Sequence, residues 1–369
     1  MEDTITTVPA PETSHLLALA IRGIESMYDP EKGLFCHRLR KTSEGLVREG
    51  ISHRYTIMTL LGLLRAHSAG LRPPVDIEAT IDRLLDDTAW IDNLGDLGLL
   101  LWLCAAASGG ERLRQFHKTF DLSGALELFP DAGRRLTMEL SWFLTGLVHA
   151  SKMEQPADLE PLAHKTYRLV RVNQGQHGLF GHMAKWHSMA GVVRGRVGSF
   201  ADQAYPIFAM AHFSQVFGHG EARENALRCA SAICSLQGSL GQWWWHYDSV
   251  TGRVVEHYPV YSVHQHGMAP MALLALQETC GADFDTHINS GLKWISGANE
   301  LHQDLEDSDA GVAWRCIQPP KSNPYAVGIR ALMGKELSRD PLHILYECRP
   351  YELGWLLYAF APSATARRA

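Results

Sequence analysis

The 369-residue sequence is poor in several things that would have given it an easy assignment. It has seven cysteines, an odd number, and none stands in a C-x-x-C or C-x-x-x-C pair. That spacing excludes a disulfide framework and reads as reduced core thiols, with Cys104, Cys229 and Cys234 inside helical runs. No uninterrupted apolar run reaches the ~18 to 20 residues of a membrane span. Basic charge is not in excess: the formal net charge is −6, so the chain lacks the electrostatic footprint of a nucleic-acid binder. The N-terminal stretch MEDTITTVPAPETS has neither a basic n-region nor an apolar h-region and does not read as a signal peptide. These absences lead us to expect a cytoplasmic protein with no nucleic-acid partner and no membrane span. A hydrophobic content of 46% and a charged content of 20% supply an ordinary globular core.

What is present is a pattern repeated six times. A small knot of polar residues is followed by a run rich in Leu, Ala and Met, such as TIMTLLGLL, LGLLLWLCAAA or MAPMALLAL. The six knots are His53-Arg54-Tyr55, Asp96, Glu139, Asp202-Gln203, His264-Gln265-His266 and Arg349-Tyr351-Glu352. A helix apolar on all sides must be buried on all sides. Between these runs lie amphipathic segments such as EARENALRCASAICSLQ, where Ala226, Cys229, Ala230 and Ile233 make one stripe. Six buried helices alternating with six one-faced ones describe an all-α (α/α)6 toroid, an inner ring inside an outer ring.

The spacing predicts inner helices over 53–67, 95–108, 137–150, 201–217, 264–279 and 350–361. Outer helices are predicted over 14–27, 76–90, 111–129 (broken near Asp121), 158–173, 221–237 and 284–297. Residues 1–12 read as a disordered arm, 13–362 as one toroid domain and 363–369 as a frayed tail. The links WWWHYDSVTGRVVEHYPVY and LFGHMAKWHSMAGVVRGRV are β-rich with central Gly turns, and read as short hairpins over the mouth of the ring.

The outer-to-inner junctions repeat as well. Gln174-x-x-x-Gly178-x-Phe180 matches Gln237-x-x-x-Gly241-x-Trp243, with fragments at Gly33-x-Phe35 and Gly311-x-x-Trp314. Gly lets a helix stop in a left-handed conformation, and the aromatic ring then wedges between neighbouring pairs. This Q-x-x-x-G-x-W pattern before an Ala/Leu-rich helix resembles the QW repeat of terpenoid cyclases, whose superfamily includes the protein prenyltransferases. The resemblance covers about 174–280 and implies an α/α-toroid. The six-pair count is equally similar to (α/α)6 glycosidases, polysaccharide lyases and sugar epimerases. A cyclase resemblance implies a D-x-D-D acid at the start of an inner helix, where this chain has Ser262-Val263-His264-Gln265-His266. Asp304-Leu305-Glu306-Asp307 imitates it in a loop-like segment, and Asp82, Asp86 and Asp87 imitate a diphosphate motif on an outer helix.

The polar knots are the candidate site. Asp96, Glu139 and Asp202 stand at three successive inner-helix starts, where N-terminal capping explains any one of them. Three at one rim suit acid/base work on a sugar, which needs carboxylates facing each other across it. A second group joins Tyr258, Tyr261, His264 and His266 with His246, Tyr247 and Asp248 across the hairpin. With Arg54 and Arg349 to neutralise a carboxylate, it has the parts of a β-elimination or epimerisation site for uronates. The alternative is that these groups bond to loop backbone in a polar rim. H-x-H also invites a metal reading with His246, Asp248 or His257, but no spaced partner motif supports it, and neither a metal nor a cofactor is expected. Trp243, Trp244 and Trp245 would alternate between faces of a strand, so that Trp244 or its two neighbours face the cavity, forming with Trp186, Tyr205, Trp355 and Tyr358 a stacking platform.

The expected function is that of a carbohydrate-active enzyme, a glycoside hydrolase or a polysaccharide lyase or epimerase, on an oligosaccharide that contains uronate. Catalysis falls to Glu139, Asp202, Tyr261 and His264. Substrate binding falls to His53, Arg54, Tyr55, Asp96, Gln203, Trp244, His246, Tyr258, His266, Arg349 and Tyr351. The alternatives are a terpenoid cyclase-like enzyme, which predicts a deep apolar cavity below the rim, and a non-catalytic toroid that binds a glycan or protein.

Overall fold

The computed structural model describes residues 11–107, 110–129, 136–153, 159–183, 195–320 and 341–362. Helices alternate between two rings along the chain. Outer α1 (Pro11–Met27) leads to inner α2 (His53–Ser68), then outer α3 (Ile77–Asp86) and inner α4 (Leu94–Ala106). Outer α5 (Glu111–Thr119) and the short α6 (Ala125–Leu128) precede inner α7 (Thr137–Met153). The expected break at Asp121 is present, its carboxylate accepting from the Ser123 backbone N–H at 2.9 Å. Outer α8 (Leu159–Val172), inner α9 (Ala201–Phe217), outer α10 (Gly220–Ser235), inner α11 (Ala269–Cys280), outer α12 (Asp285–Ile295) and inner α13 (Pro350–Phe360) complete the series. A π-helical turn, His264–Met268, precedes α11.

The composition of each helix explains its place. In α4 every residue from Leu94 to Ala105 is buried, as an all-apolar helix requires. In α3 only the stripe Ile77, Thr80, Ile81 and Leu84 is buried, and that face packs inward. Inner helices touch in the cyclic order α2, α4, α7, α9, α11, α13 and back to α2, which closes the ring. Closure is tight. A Cβ on Gly62 of α2 would lie 2.1 Å from the Gly354 carbonyl oxygen of α13, so only glycine allows these backbones to approach.

Short strands cover the helix starts. β1 (Tyr28–Asp29), β2 (Leu34–Thr42) and β3 (Gly45–Ile51) form an antiparallel set that β12 (Glu347–Cys348) joins on β2. β4 (Val197–Ser199) pairs with β5 (His246–Asp248), which pairs in turn with β6 (Arg253–Glu256); β5 and β6 make the hairpin expected after the three tryptophans. β7 (Val260–Tyr261), β10 (Cys316–Gln318) and β11 (His343–Leu345) form a third sheet, and β8 (Glu306–Asp307) pairs with β9 (Val312–Ala313). Most of the second expected hairpin, residues 184–194 with Trp186, lies outside the described residues, as do 1–10 and 363–369. Residues 11 and 12, expected in the arm, already belong to α1.

The repeated Gln–Gly–aromatic junctions are staples of one geometry. The Gln174 amide donates to the Gly178 and Asn225 carbonyls at 2.9 and 2.8 Å. Gln237 does the same to Gly241 and His287, both at 3.0 Å. Each glutamine thus ties its own loop to the next outer helix. The glycines hold φ of 88° and 96°, and Phe180 and Trp243 are fully buried.

Candidate functional site

The inner-helix starts converge on a cavity of about 200 Å³ at one end of the ring. Its lining comes from α2 (Arg54, Tyr55, Met58), α7 (Met138, Trp142), the β4–α9 junction (Ser199, Ala201, Tyr205) and the π-helical turn with its approach (Tyr261, Val263, His264, Met268). Trp245, Arg315 and Tyr351 complete it. π-turns inside helices recur at functional sites because they turn extra side chains to one face, and here the turn presents His264. Below the cavity the ring axis is filled: Trp102 stacks on Trp355 at 5.7 Å and meets Phe208 at 5.3 Å. The deep apolar cavity that a cyclase-like reading requires is therefore occupied by protein side chains.

Of the residues singled out from sequence, Arg54, Tyr55, Tyr205, Trp245, Tyr261, His264 and Tyr351 line this cavity. Arg54 donates from Nε to Asp96 Oδ1 at 2.5 Å and from Nη2 to Oδ2 at 2.9 Å. Asp96 also accepts from the Asn93 amide at 2.7 Å and is 4% exposed. Its oxygens are thus committed to holding Arg54, and Asn93 rather than Asp96 caps α4. Glu139 sits half-buried in the first turn of α7, near enough to Arg54 to favour its charge.

Asp202 is turned back into the protein and is 1% exposed. One oxygen, Oδ2, accepts from Ser199 N at 2.9 Å and Ser199 Oγ at 3.0 Å, and lies 3.1 Å from His182 Nδ1. This is a reciprocal cap at the start of α9, while Oδ1 has no partner. Gln203 proves to be a scaffold residue. Its amide bridges the backbone N–H and carbonyl of Phe180 at 2.7 and 2.9 Å. Gln265 repeats part of this, accepting from Trp243 N at 3.4 Å.

Several other expected substrate contacts stand behind or beside the cavity. Arg349 donates to Glu347 at 2.9 Å and to the Tyr55 hydroxyl at 2.7 Å, so it positions Tyr55. Tyr258 donates to Glu300 at 2.6 Å. His246 pairs with Glu256 at 2.6 Å. His53 stacks on Trp90 at 5.2 Å with the rings 5° from parallel. His266 is fully buried with both ring nitrogens unpartnered. Trp244 donates its indole N–H to Leu236 O at 2.8 Å; Trp245 is the tryptophan that faces the cavity, 4.5 Å from the Tyr261 ring.

Arg315 was missed altogether. Its backbone N–H donates to Glu347 O at 2.7 Å, and its carbonyl accepts from Ser262 N at 2.8 Å, which fixes the residue between two short strands. The guanidinium bonds to buried Glu352 and lies 4.8 Å from the Tyr261 ring centroid. The Trp-Arg-Cys triplet that carries it gives no helical or motif signal, and its proximity to the mouth is purely tertiary.

The electrostatics follow from burial. His264 is 6% exposed, and burial pushes its pKa down to about 3, so it is neutral near pH 7. Its Nδ1 lies 3.4 Å from the Trp243 carbonyl. A proton on Nδ1 makes this a hydrogen bond and leaves Nε2 as an acceptor. Burial also pushes the Tyr205 and Tyr261 hydroxyls well above the ordinary phenol value. Among the described residues no three His, Cys, Asp or Glu side chains converge as metal ligands, and no helix is long and apolar enough to cross a membrane.

Fold and cavity together define an (α/α)6 toroid with a pocket at the inner-helix starts. No family model and no curated protein sequence matches the chain. Solved structures do. The chain is similar to a possible member of the GH105 family from Klebsiella pneumoniae subsp. pneumoniae, with 12% identity over 98% of this chain and 94% of that one and a TM-score of 0.62. It is similar to an unsaturated glucuronyl hydrolase from Bacillus sp. GL1, described as responsible for the degradation of glycosaminoglycan, with 15% identity over 95% of both chains and a TM-score of 0.60. It is also similar to an inactive variant of an alpha-1,6-mannanase of Salegentibacter sp. HEL1_6 in complex with alpha-1,6-mannotetrose, with 12% identity, 97% and 100% coverage and a TM-score of 0.60. At these identities the likeness establishes the toroid, and chemistry has to be argued from the site. None of these three is a terpenoid cyclase.

Proposed function

We propose that the protein is a carbohydrate-active enzyme that admits a uronate residue of an oligosaccharide to the mouth pocket and acts on it by acid/base chemistry, as a hydrolase or a lyase. One observation carries this reading: among the described residues the lining holds two guanidiniums and four tyrosines but no carboxylate. Asp96 and Glu352 hold Arg54 and Arg315 from behind, so the cations stand between their acids and the cavity. The remaining guanidinium N–H groups suit a planar carboxylate. Trp142, Trp245 and the tyrosines supply faces for the C–H surface of a sugar ring.

Neutral His264, with Tyr261 at 5.2 Å between ring centroids, is the pair we assign to proton transfer at the carbon next to the carboxylate. Glu139 and Asp202 remain the carboxylate candidates, and both need a substrate-induced shift to reach a bound ring. The structural neighbours described as acting on unsaturated glucuronyl residues support a uronate ligand. The lack of a lining carboxylate favours a second reading, a toroid that binds the glycan without turning it over.

The test follows the ultraviolet absorbance of a C4=C5 double bond with saturated and unsaturated uronate oligosaccharides. A rise with the saturated substrate reports elimination; a fall with the unsaturated one reports its hydrolysis. Either should vanish in Arg315→Ala. Binding without any change in absorbance or reducing ends supports the second reading, and no binding of either oligosaccharide would falsify the uronate assignment.

A further inference from the structure

Tyr205 sits at the floor of the pocket, 4% exposed, and lines the cavity. Its hydroxyl oxygen accepts from the Trp355 indole N–H at 2.9 Å. An indole N–H can only donate, so in this bond the tyrosine can only accept. Among the described residues no hydrogen bond takes the hydroxyl's own proton, and the cavity lining holds no carboxylate. Tyr205 is thereby committed to donate into the cavity.

We propose that Tyr205, set by Trp355, is a specificity-determining residue that requires an acceptor-only oxygen at the inner edge of the ligand. The inference deepens the uronate reading and rests on it. A carboxylate oxygen takes the Tyr205 proton and brings no proton of its own. A hydroxyl in the same place also accepts, but its own proton then needs an acceptor of its own, the lining offers no carboxylate to take it, and a buried unmade hydrogen bond is costly. The floor therefore separates a uronate from the neutral hexose that differs only in carrying CH2OH for COO⁻. The two arginines attract the charge; Tyr205 excludes the hydroxyl.

The test measures binding of methyl β-D-glucopyranosiduronate and methyl β-D-glucopyranoside to wild type, Tyr205→Phe and Trp355→Phe by titration calorimetry. Phenylalanine keeps the ring at position 205 and removes the donor. We expect wild type to prefer the uronate, and Tyr205→Phe to lose about tenfold or more of that preference, as for a hydrogen bond to a charged group. Trp355→Phe frees a lone pair of Tyr205, so the hydroxyl can rotate to accept, and glucopyranoside binding should improve relative to the uronate. A merely structural role for Tyr205 would weaken both ligands equally and leave the ratio unchanged, which overturns the inference while the uronate reading stands. If wild type binds neither glycoside, or prefers the neutral one, the uronate reading falls and the inference with it. Circular dichroism of each variant identifies a loss caused by misfolding; Tyr205→Met, also without a donor, then replaces Tyr205→Phe and must show the same loss of ratio.

Discussion

Lowering the pH from 7.5 to 5.5 should cost this protein a measurable part of its stability, through two histidines of the π-helical turn. His264 and His266 are 6% and 0% exposed, and burial pushes both pKa values down to about 3. In the unfolded chain each titrates near 6.5. Because the folded values are depressed, the unfolded state binds the extra protons: stability is fully present above 6.5 and is lost as pH falls toward 3. Between pH 7.5 and 5.5 the unfolded chain takes up nearly one proton per ring and the folded chain almost none, which amounts to a little over ~1 kcal/mol each and between ~2 and 3 kcal/mol for the pair. Burial raises the Glu352 carboxyl, an opposite effect that offsets at most one histidine. Burial lowers His149 and His212 as well, and they add to the loss in the same direction. Urea unfolding at fixed ionic strength reads the effect as a fall in midpoint at constant slope. His266→Phe removes one titrating ring, forfeits no ring hydrogen bond because both nitrogens lack partners, and should reduce the pH dependence by one ring's share, a little over ~1 kcal/mol between pH 7.5 and 5.5. A midpoint that holds steady or rises on acidification would refute the reasoning.

Other perturbations have equally definite outcomes. Gln174→Ala strips hydrogen bonds from the Gly178 and Asn225 carbonyls and should destabilise by about 2 to 4 kcal/mol; a melting temperature within error of wild type would show that the staple is dispensable. Gly62→Ala drives a methyl group onto the Gly354 backbone, and overpacking of this kind costs about 1 to 3 kcal/mol or more, so a soluble variant with unchanged unfolding midpoint would contradict the tight ring closure. Asp96→Ala leaves Arg54 without its bidentate partner; Arg54 keeps about a third of its exposure, so we expect a modest loss, about 1 to 2 kcal/mol, with a change in uronate affinity. Trp90→Ala removes the ring that stacks on His53 beside the mouth. It should weaken binding of longer oligosaccharides and spare a single uronate, and equal weakening of both would dismiss that stack as an outer contact.

The two rings were legible in the sequence because their signal is periodic and strong. All-apolar runs can only be buried, one-striped runs can only lie outside, and five of the six inner helices begin within a residue of their expected positions, the exception being α11, whose expected first turn is the π-helical turn His264–Met268. The location of the pocket followed from the same pattern, since parallel inner helices bring their starts to one end. Which side chains of each start face the axis was not legible. That depends on the rotation of each helix, and rotation is set by packing. Arg54 and Tyr55 turn inward while Asp202 and Gln203 turn back to cap and brace, though all four carry similar polarity. Trp243, Trp244 and Trp245 offered three equivalent rings, and the third was selected because Trp243 is held as the junction staple. Arg315 came from the link between β9 and β10, and its neighbours in space, Glu347 and Glu352, lie more than thirty residues away in sequence; no local pattern encodes such an approach.

The contact of α13 with α2, where Gly62 meets Gly354, and the packing of α1 against α13 have a further consequence. A circle of helix pairs has one junction that no peptide bond spans, and here that junction is as intimate as the bonded ones. The ring therefore holds its shape without regard to which link is covalent. Joining the ends and cutting at the exposed Gly281 turn, which lies away from the stapled junctions and the mouth, should give a permuted chain with the same mouth.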